Sequence, residues 1–405
     1  MGKRVLVLSN LYPPTVLGGY EVECSGVVER LRRDHEVLVL TSWKGRRHAG
    51  TEQGVVRRLP FLPHRGIGRF LAPLYAIRAA AVTRRALRDF RPEVVYLWNG
   101  AQVPQVSIRL LETWGATVAY RICEQWFGSL YESDAFMRAL RGGPWKRSMR
   151  ALNALPGLRV DVHRPVDVAV CWNSEMVQRE AQPPSTTKPV LERIVIPATK
   201  QSEEFVDLPR RPSAQLRIGY VGRISPEKGI DVALRAVAML RQQDGLEVEL
   251  EVAGTGERAL LDQLEALATE LGIAAQVRFR GRLDPAGLRE LLCTLHGLVV
   301  PSTWEEPAPL VIVEGALARV PLIASRVGGI PEMVRDPEEA LLCPPRDPGA
   351  LAKALRRTLT EPAETQARAE RAFERVQAFR IDRYHEAMDA FFADAIEATA
   401  AGGAR

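Results

Sequence analysis

Two carboxylates with seven residues between them, in the run Glu306-Pro-Ala-Pro-Leu-Val-Ile-Val-Glu314, have the types and spacing to do chemistry together. They follow the apolar Gly297-Leu-Val-Val-Pro301, which reads as a buried parallel strand that passes through Pro-Ser-Thr-Trp and opens a helix. Glu306 is then expected in the loop and Glu314 one or two turns into the helix, both at the mouth of a sheet, where open α/β sheets bind ligands. The backbone amides of Leu310 and Val311 fall near the helix start, a place suited to an anion. A second cluster is Gly219-Tyr-Val-Gly-Arg223-Ile-Ser-Pro-Glu-Lys228-Gly229, a strand entering a loop with an Arg and a Lys five apart. Arg supplies forked donors and Lys a point charge, a combination that suits a diphosphate. Near the N-terminus Val5-Leu-Val-Leu8 breaks at Tyr12-Pro-Pro-Thr15, and Gly18-Gly19 precedes a helix from about Tyr20 to Arg33. Paired glycines there let backbone approach a phosphate or a sugar closely.

Stepping along the chain, strand-like segments near residues 4–9, 36–41, 94–98, 117–122, 168–171 and 194–196 alternate with helical or basic stretches. Beyond a polar, proline-bearing link from about Thr199 to Gln215 the alternation is more regular, with strands near 216–221, 248–252, 277–279, 297–300 and 321–324. This is the doubly wound α/β pattern, and it predicts two domains. With 405 residues and 46% apolar content the chain can bury two cores, and 26% charge excludes a disordered or membrane-spanning class.

In the order of these motifs the chain resembles the retaining group-one glycosyltransferases, a nucleotide-sugar-dependent family with two Rossmann-like domains facing a central cleft, the GT-B fold. The resemblance runs through Gly18-Gly19, Arg223 with Glu227-Lys228-Gly229, Gly254-Thr-Gly256, Phe279-Arg-Gly281-Arg-Leu283, Pro301-Ser302 with the Glu pair, and Gly328-Gly-Ile-Pro-Glu332. It implies an acceptor-side domain over 1–205, a nucleotide-sugar domain over 214–380, and a segment 381–405 whose helix crosses back to the first domain. It implies that Arg223 and Lys228 hold the donor diphosphate and that Glu306 touches the donor sugar hydroxyls. The amides of Leu310 and Val311 would take the distal phosphate, Glu314 the ribose hydroxyls, and Arg282 and Leu283 would flank the base. Gly18 and Gly19 would let the first domain approach the phosphates and the reacting sugar. Where the family commonly carries His-Asp, in a context such as Tyr-x-x-His-Asp-x-Trp, this chain reads Tyr120-Arg-Ile-Cys123-Glu124-Gln-Trp126. Cysteine does not replace histidine as a proton carrier, so Glu124 becomes the nearest candidate catalytic carboxylate, beside Glu306, Arg223 and Lys228. The function implied is transfer of a hexose from a nucleotide diphosphate-sugar to an acceptor hydroxyl with retention of configuration. Alternatives are another enzyme of the same fold, a nucleotide-sugar epimerase or a pyridoxal-phosphate-dependent α-glucan phosphorylase, or a non-catalytic nucleotide-sugar-binding protein.

There is no Asp-x-Asp motif and no His/Cys cluster in the sequence, so no metal is implied, and the expected cofactor set is empty, with the nucleotide diphosphate-sugar as co-substrate. Gly254-Thr-Gly256 lacks the third glycine of a dinucleotide fingerprint. The five cysteines have no metal-like spacing and read as reduced thiols, and no apolar run reaches membrane-helix length, so a cytoplasmic enzyme is expected. Glu247, Glu249 and Glu251 alternate along a strand and read as a solvated face, and His296 reads as structural. From Thr41 to Arg91 twelve Lys and Arg stand against two acids, among them Lys44, Arg46, Arg47, Arg57, Arg58, Arg84, Arg85 and Arg88. A second basic stretch runs from Arg138 to Arg164. Such faces suit an anionic acceptor, whether a small molecule, a glycan or a lipid, or peripheral contact with the inner face of an anionic membrane; no nucleic-acid module accompanies them.

Overall fold

The structure is a computed structural model that describes residues 2–16, 18–43, 50–52, 54–62, 72–127, 137, 146–154, 159–198, 200–206 and 208–402. Lys44, Arg46 and Arg47 of the first basic stretch, residues 138–145 and 155–158 of the second, Thr199 of the link and the tail from 403 lie outside the described residues. The chain divides into two compact units, Met1–Ile196 with His385–Arg405, and Pro197–Tyr384.

The first unit is built on an eight-stranded sheet of β1 (Arg4–Ser9), β2 (Glu36–Ser42), β3 (Gly50–Glu52), β4 (Val55–Leu59), β5 (Val94–Asn99), β6 (Thr117–Ile122), β7 (Val166–Trp172) and β8 (Thr187–Ile194). The spatial order is β3-β4-β2-β1-β5-β6-β7-β8, parallel throughout except for β3, which runs antiparallel to β4. The central β1 is Val5-Leu-Val-Leu8, fully buried on both faces, as a central parallel strand requires. Each such side chain contributes roughly 1.5–3 kcal/mol by leaving water. β8 is longer than the 194–196 expected, and the physical reason is its place at the edge of the sheet. Its residues Thr187-Lys-Pro-Val-Leu-Glu-Arg-Ile carry charges on both faces, and Pro189 sits where the register with β7 shifts, so no apolar run marks it. The helix Ile381–Gly402 contributes Phe391 and Phe392 to this unit, where they pack on Tyr96 with ring centroids 6.4 and 5.9 Å away.

The second unit holds β9 (Arg217–Val221), β10 (Glu249–Ala253), β11 (Val277–Gly281), β12 (Gly297–Val300), β13 (Leu322–Ser325) and β14 (Leu341–Cys343), all parallel. Their order is β11-β10-β9-β12-β13-β14, so the chain winds outward in one direction from β9 and then returns to lay β12 on its other side. The reversal between β9 and β12 is the point at which connections leave in opposite directions and open a crevice at the carboxyl ends of the strands. Both units are therefore α/β with parallel sheets.

Several polar residues lie where sequence pattern does not put them. Glu249 and Glu251 on β10 are buried, not solvated, because arginines from both neighbouring strands cover them. Arg217 of β9 donates to Glu249 at 2.8 Å, Arg278 of β11 donates to it at 2.7 Å, and Arg280 stands 3.4 Å from Glu251. His296 accepts the Arg217 amide on Nδ1 at 3.1 Å and has a structural role there. In the first unit Arg121 of β6 is fully buried and donates to Glu23 of the helix Gly19–Leu31 at 2.8 Å and to the Trp172 carbonyl at 2.9 Å. All five cysteines are free thiols, and among the described residues no helix is long and apolar enough to cross a membrane.

Removing one partner of a buried ion pair strands the other charge, which costs about 3–5 kcal/mol, whereas replacing both by apolar groups costs far less. Arg121→Met is therefore expected to destabilise the first unit by about that amount, and Glu23→Leu combined with Arg121→Met to recover most of it. Chemical denaturation followed by the fluorescence of the adjacent Trp172 measures this; a loss below about 1 kcal/mol for the single variant contradicts it.

Candidate functional site

The loops that leave β9 and β12 meet at the point where the second sheet reverses. After β9 the chain makes a short 3-10 turn, Pro226–Lys228, closed by Gly229 in the left-handed region at φ 68°. A Cβ at Gly229 would lie 2.0 Å from the Pro301 carbonyl oxygen, so only glycine lets this turn press against the end of β12. Two bonds hold the loops together, since Thr303 donates to the Glu227 carbonyl from its amide at 2.8 Å and from its hydroxyl at 3.2 Å. A third loop, after β13, closes the other side. Gly328 has φ 55°, a Cβ there would stand 2.2 Å from the Glu306 carbonyl oxygen, and the Gly329 amide donates to that oxygen at 2.7 Å.

Clamped between these glycines, Glu306 is buried. Its Oε1 accepts from Lys228 Nζ at 2.5 Å and from Ser302 Oγ at 2.6 Å. Oε2 takes no bond among the described residues and is the oxygen left for another donor. The Lys228 ammonium also lies over the exposed Trp304 ring, 5.5 Å from its centroid. Arg223 is largely exposed and shares Glu227 Oε1, at 3.1 Å, with Ser225 Oγ at 2.7 Å. The Tyr220 hydroxyl donates to the Arg223 carbonyl at 2.6 Å; burial first, then the Glu306 carboxylate, pushes its pKa up, so it stays a donor.

The helix Leu310–Leu317 starts at Pro309 without a side-chain cap, and the amides of Leu310 and Val311 make no hydrogen bond among the described residues. Glu314, in the second turn, receives no donor from any described residue, and burial pushes its carboxyl up to about 7. A carboxyl in such surroundings is most stable with a hydrogen-bond donor supplied from outside. Arg282 and Leu283 follow β11, with Arg282 exposed and Leu283 partly buried. Every sequence-predicted site residue of the second unit thus follows the carboxyl end of one of three strands, β9, β11 and β12. Sequence reasoning did not give Ser302 or Trp304 a role. The signal was present in Pro301-Ser-Thr-Trp304, which was read as a strand end and as part of the family resemblance without a role for either side chain.

In the first unit Gly18 caps the helix Gly19–Leu31, donating its amide to Glu21 Oε2 at 2.9 Å. Among the described residues a Cβ there would meet nothing nearer than that oxygen, at 3.7 Å, so none of their contacts demands glycine. Tyr20 donates its hydroxyl to Asn10, which follows β1, and burial, then Glu21 and Glu124, push the Tyr20 phenol far up. Glu124 is exposed at the end of β6, and burial pushes the preceding Cys123 thiol up, away from the reactive thiolate. Trp98 is buried beside Tyr96, a packing residue of the core. Of the basic residues, Arg57 leaves the face expected of it. It is buried and donates to the Tyr12 carbonyl at 3.0 Å and to that of Pro13.

Residues 202–375 match the family described as glycosyl transferases group 1. A glycogen synthase of Mycobacterium tuberculosis is 37% identical over 169 residues, 42% of this chain and 39% of that protein. The chain spans less than half the length of the first curated relatives that it matches. Among solved structures, sucrose-phosphate synthase from Thermosynechococcus elongatus superposes with a TM-score of 0.71 at 20% identity, covering 98% of this chain and all of that one. HepE of Anabaena, solved with UDP and glucose, superposes with a TM-score of 0.66 at 18% identity, covering 97% of this chain and all of that one. These likenesses give the fold of the chain as GT-B. The match to the glycosyl transferases group 1 lies within the second unit.

Proposed function

We propose that the chain transfers a hexose from a nucleotide diphosphate-sugar to an acceptor hydroxyl, with retention of configuration and without a metal, in the cytoplasm. The observation that carries this reading is one cluster at the switch point of the second sheet: the Lys228–Glu306 pair, the free amides of Leu310 and Val311, and the unpartnered Glu314. A departing diphosphate gathers negative charge as the sugar gains positive charge. The Lys228 ammonium, the exposed Arg223 guanidinium and the two helix-start amides supply fixed positive potential for it, the task a metal performs elsewhere. Glu306 Oε2 accepts from the sugar hydroxyls, and its shared Oε1 ties the sugar contact to the lysine. Glu314 takes the ribose hydroxyls as its missing donors, and Arg282 and Leu283 flank the base. In the first unit Gly18 and Gly19 are assigned to close approach by the donor, and Glu124 is the candidate carboxylate. The acceptor hydroxyl attacks the anomeric carbon from the face that the phosphate leaves. The C–O bond to phosphate breaks, the new glycosidic bond forms, and the acceptor proton passes to the leaving phosphate oxygen. The match to the group 1 family and a fold-mate solved with UDP and glucose support a nucleotide-sugar donor.

Three outcomes test this reading. Lys228→Ala slows transfer by roughly a hundredfold or more, the size of removing one charge-stabilising group, and a chelator leaves the wild-type rate unchanged. Product detection by mass spectrometry across a nucleotide-sugar panel measures both, and a rate abolished by chelator and restored by magnesium contradicts the second.

Glu306→Gln removes most transfer while leaving nucleoside diphosphate binding near wild type, whereas Glu314→Gln weakens the nucleotide itself. Calorimetry with the bare nucleotide separates them, and equal effects show that the two carboxylates are wrongly assigned.

Glu314 also predicts a pH dependence without ligand. Its folded-state pKa, about 7, lies above the ordinary 4.5, so the folded chain binds this proton more tightly than the unfolded one. The contribution is therefore a loss of stability as pH rises from about 4.5 to about 7. Glu314→Gln removes that loss, and melting temperatures of both proteins across this range show it; parallel curves contradict it.

A further inference from the structure

The helix Ala72–Phe90 of the first unit leaves Leu74, Ile77, Arg78, Ala81, Arg85 and Arg88 exposed. Their spacings of three, four and seven residues put them on one side of the helix. The side is divided: Leu74 and Ile77, 62% and 38% exposed, occupy its N-terminal half, and arginines continue it to the C-terminal end. Arg78 lies over the Trp43 ring at 5.4 Å. Beneath the C-terminal half is a cavity of about 350 Å³ between the helix and strands β2 and β4, walled by Leu38, Val56, Val82 and Phe90. These apolar side chains remain only partly buried by the fold. The charged groups around the cavity are Arg58, Arg85 and Asp89, and Asp89 is answered by Arg85 Nε at 3.3 Å. The face as a whole therefore keeps a positive excess, with Arg58, Arg78, Arg85 and Arg88 against Asp89.

We propose that this face seats on an anionic lipid bilayer, with Leu74 and Ile77 entering the headgroup boundary, the arginines meeting lipid phosphates, and an acyl chain occupying the cavity. The cavity and the charges around it select the same occupant. A cavity of this size is within the roughly 300–1,000 Å³ of small-ligand sites, and most of its wall is apolar. Its border offers two guanidiniums, which select an anionic head over a neutral one. Surface-lying helices combine an apolar contact with basic residues because neither alone gives stable attachment. The inference is independent of sugar transfer, since none of these residues belongs to the donor cluster.

Flotation of the full chain with phosphatidylcholine vesicles, with and without phosphatidylglycerol, tests it. Recovery with the anionic vesicles is expected to exceed that with neutral ones by roughly fivefold at low salt and to fall as salt rises. Arg58→Glu with Arg85→Glu abolishes the excess. Val82→Phe fills the cavity and halves what remains bound after a salt wash, roughly as a lost acyl contact would. Should Val82→Phe melt early, Leu74→Asp, on the exposed face, takes its place and lowers recovery likewise. All variants keep wild-type affinity for nucleoside diphosphate, so failure here and failure of the donor assignment are read separately. Equal recovery on neutral and anionic vesicles, indifference to the double charge reversal, or uptake of a free fatty acid without vesicle binding each overturns the proposal.

Discussion

The contact between the Lys228 ammonium and the Glu306 carboxylate is the constraint around which the second unit is arranged. Two glycines make it possible by giving up their side chains to neighbouring carbonyls: Gly229 beneath Pro301 and Gly328 beneath Glu306. A strand order that reverses between β9 and β12 is what brings two loops, seventy-eight residues apart in sequence, to the same spot. A buried carboxylate with a single cation is expensive to hold, and the Ser302 hydroxyl on the same oxygen lowers that cost. Among the described residues the arrangement leaves one oxygen of Glu306 and two amides of the following helix unused. It has the form of a site prepared for a ligand that carries both hydroxyls and negative charge.

Elsewhere the chain uses buried charge for a different purpose. Arg121 with Glu23 ties β6 to the helix Gly19–Leu31, and Arg109 with Glu112, 2.8 Å apart on the helix Gln105–Glu112, is buried in the core of the first unit. Each arginine also binds backbone carbonyls, Arg121 that of Trp172 and Arg109 those of Asp161 and Arg164. Such fully satisfied networks fix where helices and loops lie against the sheet. They serve the frame, whereas the groups proposed to meet a ligand lie outside such networks.

The difference explains what could be read from sequence. Arg223, Lys228 and Glu306 lie in loops that follow apolar strands and Glu314 in the helix after one, so local pattern was enough to place them along the fold. The helix Pro285–Thr294 starts with Asp284 as cap and proline in its first turn. Arg121 and Glu23 gave no such signal, since their pairing spans ninety-eight positions and a lone charge in a strand looks like a surface residue. Glu249 and Glu251 misled in the same way, because alternation along a strand identifies a face without saying what covers it. Arg57 was counted with a basic surface by composition, although its neighbours in space are the carbonyls of Tyr12 and Pro13. The edge strand β8 was under-read because a strand paired on one side only does not need an apolar run.

The central claim is that the Lys228–Glu306 cluster receives the phosphates of a nucleotide. A crystal structure of the chain with a nucleoside diphosphate tests it most directly. The account predicts phosphate oxygens within hydrogen-bonding distance of Lys228 Nζ and of the amides of Leu310 and Val311, with the ribose hydroxyls on Glu314. A nucleotide bound elsewhere, with Lys228 still held by Glu306 and those amides unoccupied, would contradict it.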